Sequence, residues 1–161
     1  MEIYIVRHGI AEEVSKDGSD ESRPLTAEGT KKMKEAAAGF ARLERKPAHI
    51  FSSPLVRAKQ TAQLVADALK MKVEEMKELA PARLPAQVCE KLRQLKKVES
   101  VMLVGHEPNC SELASYLLLG SGGLNIEFKK GAICLIETRT LEPGSGDLIL
   151  HLPPAALRLM T

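Results

Sequence analysis

Three short stretches of this sequence carry residue types suited to chemistry on an anion. The first is Arg7-His8-Gly9, directly after the apolar run Ile3-Tyr4-Ile5-Val6. A guanidinium and an imidazole at the end of a buried strand are costly to desolvate unless they meet partners or a ligand. Gly9 is expected to let the chain turn sharply there. The second stretch delivers Arg57 just beyond His49-Ile50-Phe51-Ser52, and the third delivers His106 just beyond the apolar run Ser100 to Gly105. Each of these follows a strand-like segment and precedes a helix-like one, and helix N-termini favour anions. Two guanidiniums and one or two imidazoles together suit a phosphate or a similar tetrahedral oxyanion. Arginine serves better here than lysine, because its planar fork binds two oxygens at once.

The surrounding pattern supplies elements to position them. Ile3 to Val6 reads as a short, largely buried strand, β-branched and aromatic, that runs straight into Arg7. Ile10 to Pro24 is polar and too long for a tight turn, and such loops often border sites. Thr26 is a good N-cap with Glu28 in the first turn, and Met33, Ala37 and Phe40 repeat at helical spacing. That helix is expected to reach about Arg45 before Pro47, with Gly29 and Gly39 weakening its regularity. His49 to Ser52 reads as a strand. Ser53 is expected to cap the next helix, with Pro54 at its first position. Lys72 to Met76 reads as an edge strand and Glu78 to Pro81 as a loop. Pro85 opens a helix, Ser100 to Gly105 is a strand, and a helix capped by Glu107 or by Asn109 follows. Gly120 to Leu124 is a glycine-rich loop. Ala132 to Thr138 and Asp147 to Leu152 read as a hairpin, and the tail from Pro153 is expected to pack across the sheet. Strand-helix alternation of this kind predicts an α/β fold with a mostly parallel sheet covered on both faces. Ligands of such sheets bind at the carboxyl ends of the strands, where all three stretches fall.

Composition narrows the function classes. With 161 residues and no linker or repeat, one domain over residues 1–161 is expected. The net charge of +2 is too balanced for a dedicated nucleic-acid binder, and aromatics at 3% leave little on which to stack bases. No apolar run approaches the roughly 20 residues of a membrane span, and the N-terminal strand resembles neither a signal nor a transit peptide. Cys89, Cys110 and Cys134 are odd in number and widely spaced. A disulfide frame or zinc knuckle is therefore not expected, and a reducing, cytoplasmic setting fits.

Other phosphate machinery is missing. The sequence has no G-x-x-x-x-G-K-[ST] loop. The residues six beyond the cysteines are Leu95, Tyr116 and Thr140, so no arginine closes a loop around a catalytic thiolate. The three stretches offer only Glu12 and Glu107 as carboxylates, too few for a two-metal centre. A histidine nucleophile remains.

At this point a resemblance is plain. R-H-G at Arg7 to Gly9, S-S-P-x-x-R-A-x-Q-T-A at Ser52 to Ala62 and V-G-H-x-P at Val104 to Pro108 resemble the histidine phosphatase superfamily, also called phosphoglycerate-mutase-like. The short chain, R-P-L-T at Arg23 to Thr26 and E-L-x-P at Glu78 to Pro81 are similar to its smallest branch, the SixA-type phosphohistidine phosphatases. The resemblance implies a three-layer α/β/α domain. It implies His8 as the nucleophile, transiently phosphorylated, with Arg7, Arg57 and His106 holding the phosphoryl oxygens and no metal or other cofactor. Such chemistry needs alignment and electrostatic stabilisation more than covalent help.

Larger members of that superfamily carry an acid that protonates an alkoxide leaving group. Glu78 lies in about that region, yet its neighbours match the branch in which no dedicated acid is expected. The implied substrate is therefore phosphohistidine on a protein, with no nucleic acid or membrane involved. Two alternatives stay open: a broad phosphomonoesterase acting on small phosphorylated substrates, and a phospho-ligand binding module without turnover. Arg23 either reaches the anion or pairs with an acid, and Gly9 is a candidate phosphate contact. Ser53 reads as a cap rather than a ligand, and His49 and His151 as structural. Lys31, Lys32, Lys34, Lys96 and Lys97 read as solvated helix faces. Lys129 and Lys130 are weak candidates for recruiting an acidic partner.

Overall fold

The computed structural model describes every residue except Lys96 and Gly122, so the readings of Lys96 as solvated and Gly122 as loop lie outside the described residues. Six strands form one sheet: β1 (Glu2–Arg7), β2 (His49–Ser52), β3 (Val73–Glu75), β4 (Ser100–Gly105), β5 (Ile133–Thr138) and β6 (Gly146–Leu152). They lie in the order β3-β2-β4-β1-β5-β6. The first four run parallel, β5 is antiparallel to β1, and β6 returns antiparallel to β5. The sheet is thus mostly parallel, with β5 of the hairpin as its antiparallel strand. The fold is α/β and phosphoglycerate-mutase-like.

Alternation along the central strands divides the core. Ile3 and Ile5 of β1 and Val101 and Leu103 of β4 face one aliphatic cluster, while Tyr4, Val6, Met102 and Val104 face the other. The first cluster is closed by α3 (Pro85–Arg93) and α4 (Asn109–Leu119). The second is closed by α1 (Ala27–Ala41), α2 (Val56–Leu69) and α5 (Pro154–Arg158). Both faces of β1 and β4 are therefore apolar, as central parallel strands require, and three layers result.

Several local expectations need correction. The first helix ends at Ala41, short of Arg45, because the N–H groups of Arg42 and Leu43 turn back to Gly39 and Phe40 in a tightened last turn. Its glycines do not disrupt it; they make room. A Cβ on Gly29 would lie 2.0 Å from the Ile10 carbonyl oxygen, and one on Gly39 would lie 1.8 Å from that of Leu157. The tail therefore forms α5 against α1. Ser53 is not the cap of α2, whose N-cap is Leu55 with no side-chain bond. Neither Glu107 nor Asn109 caps α4; Pro108 holds that position, also without a side-chain bond. Thr26 caps α1 as its type predicts, its Oγ1 accepting from Gly29 N–H at 2.8 Å.

The two sheet edges differ. β3 is three residues long and carries Glu74 and Glu75, whereas β6 is seven residues long and leaves Leu148 49% and Ile149 42% exposed. The three cysteines are free and buried. Among the described residues no helix is long and apolar enough to cross a membrane.

Candidate active site

The central strands β1 and β4 end side by side, with Arg7 in register with Gly105. The chain therefore brings His8 and His106 together as soon as it leaves the sheet, and their ring centroids lie 5.1 Å apart. The adjacent β2 ends at Ser52, and α2 then carries Arg57 in its first turn, where Nε approaches His8 Nε2 at 3.3 Å. His8, Arg57 and His106 are all buried. Parallel register thus converts three distant sequence positions into one cluster.

The tautomer of His8 follows from its hydrogen bond. Nδ1 lies 2.7 Å from the Gly9 carbonyl oxygen, which can only accept. Nδ1 therefore carries the proton, and Nε2 presents its lone pair to the Arg57 Nε–H. Burial is the main force pulling the His8 imidazole down to about 4; the Gly9 carbonyl opposes it, and the charges of Arg57, Arg7 and Lys130 add to it. His106 is pulled down to about 3, again first by burial and then by His8 and Arg57, with Asp20 opposing. Both imidazoles are neutral near pH 7.

Neighbouring groups hold this arrangement in place. Arg7 Nη1 donates to the Phe128 carbonyl at 2.6 Å, while its buried Nε has no partner among the described residues. The Ser53 hydroxyl accepts from Leu55 N–H at 3.3 Å and lies 2.8 Å from His106 Nε2. The hydroxyl can donate to Nε2 or accept from it, and His106 Nδ1 is a buried atom without a partner among the described residues. Ser53 therefore orients a site histidine, the role that reading it as a helix cap overlooked. Thr61 was also missed, because it lies within the apolar face of α2. Its Oγ1 donates to the Arg57 carbonyl at 2.7 Å and accepts from Gly9 N–H at 3.0 Å.

That last bond corrects the reading of Gly9. Its N–H is engaged by Thr61 and is not offered to a phosphate. Gly9 also does not take a left-handed φ, so its backbone conformation is one that other residues can adopt. Glycine is needed for space, since a Cβ would meet Met33 Cγ at 2.6 Å.

Asp20, which sequence patterning did not single out, lies at the other edge of Arg57. Arg57 Nη1 donates to its carbonyl at 2.7 Å and Nη2 to Oδ2 at 2.9 Å. This grip on the end of the guanidinium leaves the Nε edge turned to His8. The other carboxylate oxygen, Oδ1, accepts from Arg23 Nε at 2.8 Å and pairs with Arg23 Nη2 at 2.7 Å. Arg23 Nη1 donates to the Glu12 carbonyl at 2.9 Å. Of its two readings, Arg23 thus adopts the one in which it pairs with an acid. Hydrogen bonding from Arg57 holds the Asp20 carboxyl below its usual range.

Glu78 sits apart, on the short 3-10 turn Lys77–Leu79, and lines a small cleft with Gly105 and Asn109. Among the described residues no hydrogen bond ties it to His8, Arg57 or His106. Glu107 accepts from the Ser111 hydroxyl at 2.7 Å. His49 pairs with Glu74 at 2.9 Å and His151 meets the Glu127 carbonyl at 3.1 Å, both outside the cluster.

A family model for the histidine phosphatase superfamily (branch 1) matches residues 3–85. The chain belongs to the histidine phosphatase superfamily. An uncharacterised protein of Picosynechococcus sp. (strain ATCC 27264 / PCC 7002 / PR-6) is 34% identical over 139 residues, covering 83% of this chain and 82% of that one. Phosphohistidine phosphatase SixA of Escherichia coli (strain K12) is 29% identical over 165 residues, covering 99% and 98%. A solved structure of the protein histidine phosphatase SixA complexed with tungstate superposes with a TM-score of 0.86 at 28% identity, covering 98% of this chain and 99% of that one. Within the superfamily these likenesses place the chain in the SixA-type branch, a group of phosphatases, which are hydrolases.

Proposed function

We propose that this protein is a phosphohistidine phosphatase that works through a covalent phosphohistidine on His8. The observation that carries the proposal is the fixed tautomer of His8. Its proton is held on Nδ1 by the Gly9 carbonyl, so Nε2 is a neutral nucleophile beside the Nε edge of Arg57. In the first step the Nε2 lone pair forms a bond to phosphorus, and the bond from phosphorus to the substrate imidazole breaks. The departing nitrogen keeps the electron pair and is protonated from solvent. In the second step water attacks the phosphorus, releases phosphate and returns His8 to its neutral form. Arg57, Arg7 and His106 stabilise the charge on the phosphoryl oxygens. The partnerless Arg7 Nε is a donor that an oxyanion would satisfy, and His106 Nδ1 becomes a second such donor when it carries the ring proton.

Among the described residues no carboxylate hydrogen-bonds His8 or His106: Asp20 is committed to Arg57 and Arg23, and Glu78 makes no bond to either histidine. General acid catalysis contributes roughly 10²–10⁴-fold where the leaving group is strongly basic. An alkoxide needs that help, whereas an imidazole with an ordinary pKa near 6.5 needs it least. The reading therefore favours phosphohistidine over alkyl phosphates. The chemistry is assigned to side chains alone, and among the described residues no three His, Cys, Asp or Glu gather as a metal-ligand set.

Side-by-side kinetics test the reading. Phosphohistidine should be hydrolysed at least about tens of times faster than an alkyl monoester, taking the low end of the general-acid contribution. An acid-labile, base-stable phosphoryl label should appear on the wild-type protein and vanish in His8→Ala. Equal turnover of alkyl monoesters would make the broad phosphomonoesterase the correct function. Binding of phosphate without any turnover would make the protein a binding module.

A further inference from the structure

The turn Phe128–Ala132 is bonded to the backbone of the nucleophile itself. Gly131 N–H donates to the carbonyls of both Arg7 and His8, at 3.0 and 3.1 Å. Arg7 N–H donates to the Ala132 carbonyl at 3.2 Å, and Ala132 N–H closes the turn on the Lys129 carbonyl at 2.8 Å. Gly131 has φ +88°, a conformation that suits glycine. These bonds hold Lys129 and Lys130 at a fixed distance from the site. Both lysines are exposed, and neither forms an ion pair among the described residues.

A groove lies on each side of this turn. One, of about 400 Å³, runs from Arg7 and Gly9 past the start of α1 to α5, and adds Lys32 and Arg158 to the two lysines. Lys32 and Arg158 are partly neutralised by Glu28 and Glu35, and Glu127 is the carboxylate on the groove wall. The other groove, of about 440 Å³, has Ile126, Leu148 and Pro153 on its walls. The two grooves share Glu127 and Lys129, so a basic channel beside Arg7 and Gly9 continues into a mixed groove whose apolar wall, Ile126, Leu148 and Pro153, lies by the exposed β6 edge.

Building on the phosphohistidine phosphatase reading, we propose that this face docks the protein that carries the phosphohistidine. Acidic side chains flanking that histidine rest on Lys129 and Lys130, and an apolar side chain rests against Ile126 and Leu148. A second anionic group of a small metabolite would call for donors converging on one point. Here the lysines stand on an open surface, and the exposed aliphatics beside them offer an area that only a macromolecule would cover. Charges at a rim of this kind act mainly on encounter rate and its salt dependence. The lysines would accordingly select the partner without entering the chemical step.

Lys130 also bears on the charge of His8, so the test uses Lys129→Glu with Lys130 intact. Two substrates are compared: free phosphohistidine, and a phosphorylated phosphotransfer domain with acidic residues beside its histidine. The variant should lose on the order of five- to tenfold in kcat/KM on the protein, chiefly through KM, with Lys129→Gln intermediate. On free phosphohistidine it should stay within about twofold of wild type, by the same account of a rim charge. Added NaCl should depress the wild-type rate on the protein more steeply than the variant's. An equal loss on both substrates, or no loss on the protein, would overturn the docking surface while leaving the phosphatase reading intact. A wild-type protein that hydrolyses neither substrate would overturn that reading and the docking surface with it.

Discussion

Two walls flank the clustered histidines, and they use charge in opposite ways. On one side the loop from Ile10 to Pro24 is pinned at its ends by an Ala11–Leu25 bridge, and its Asp20 is bonded to both Arg23 and Arg57. On the other side the Phe128–Ala132 turn is bonded through its backbone, and its exposed lysines have no acidic partner among the described residues. The first wall neutralises its cations internally and so fixes one arginine edge against His8. The second leaves its cations available to an external anion. The difference teaches that a pair of like charges near a site says little until their partners are known. Arg23 belongs to the R-P-L-T stretch that resembles the SixA-type branch, yet the structure commits it to Asp20.

The comparison can be broken most severely at Arg57, which joins the first wall to the nucleophile. Arg57→Ala should lower kcat by roughly 10²–10³-fold, the usual cost of one preorganised oxyanion donor. Asp20→Ala should cost about tenfold, because it removes the grip and leaves the guanidinium in place. In the Arg57→Ala background, loss of Asp20 should cost nothing further, since an effect transmitted through Arg57 is not additive with its removal. A double mutant cycle on kcat/KM measures this. Independent losses would show that Asp20 acts by another route.

The next test concerns pH. With His8 lowered to about 4, the acid limb of kcat/KM should fall near pH 4 and not near the ordinary 6.5. The sign for stability follows from the same shift. Between the folded value of about 4 and the unfolded value near 6.5, the unfolded chain binds more protons, so stability is fullest above pH 6.5 and declines as pH falls toward 4. His106, at about 3, acts in the same direction over a slightly wider window. Thermal melts from pH 7 to pH 4 should show Tm falling, and the fall should shrink in His106→Gln.

The elements that bring the cluster together could be read in the sequence because strand-to-helix junctions are local patterns. Apolar runs ending in Arg7-His8 and Gly105-His106 mark the strand ends, and parallel pairing then places them side by side. Asp20 could not be read in this way. It is one of several acids in a polar loop, and its partner Arg57 is remote in sequence. Ser53 before Pro54 matches a capping pattern so well that its actual role, a bond to His106, has no sequence signal. Gly9 shows the converse: its neighbours suggested a phosphate contact and a sharp turn, while the real demand is space for Met33. The early end of α1 was also hidden, because it depends on a tightened last turn and not on Pro47.

The smallest expected effect belongs to Glu78. Standing outside the cluster, Glu78→Gln should leave phosphohistidine hydrolysis within about twofold, well below the general-acid range. A selective loss of alkyl monoesterase activity in this variant would instead identify Glu78 as an acid and weaken the case for a site without one.

The unequal sheet edges carry a consequence for the protein's behaviour at high concentration. β3 is short and acidic, a poor template for strand addition, whereas β6 is a seven-residue edge with Leu148 and Ile149 exposed, blunted only by the bulge at Ile149 where Leu135 pairs with Leu150 and Ile136 with Leu148. Edges of that kind invite self-association unless they are blunted or covered. Without a partner on this side, concentrated solutions should form edge-to-edge oligomers through β6, and a lysine at position 149 would act as a gatekeeper that keeps the chain dispersed.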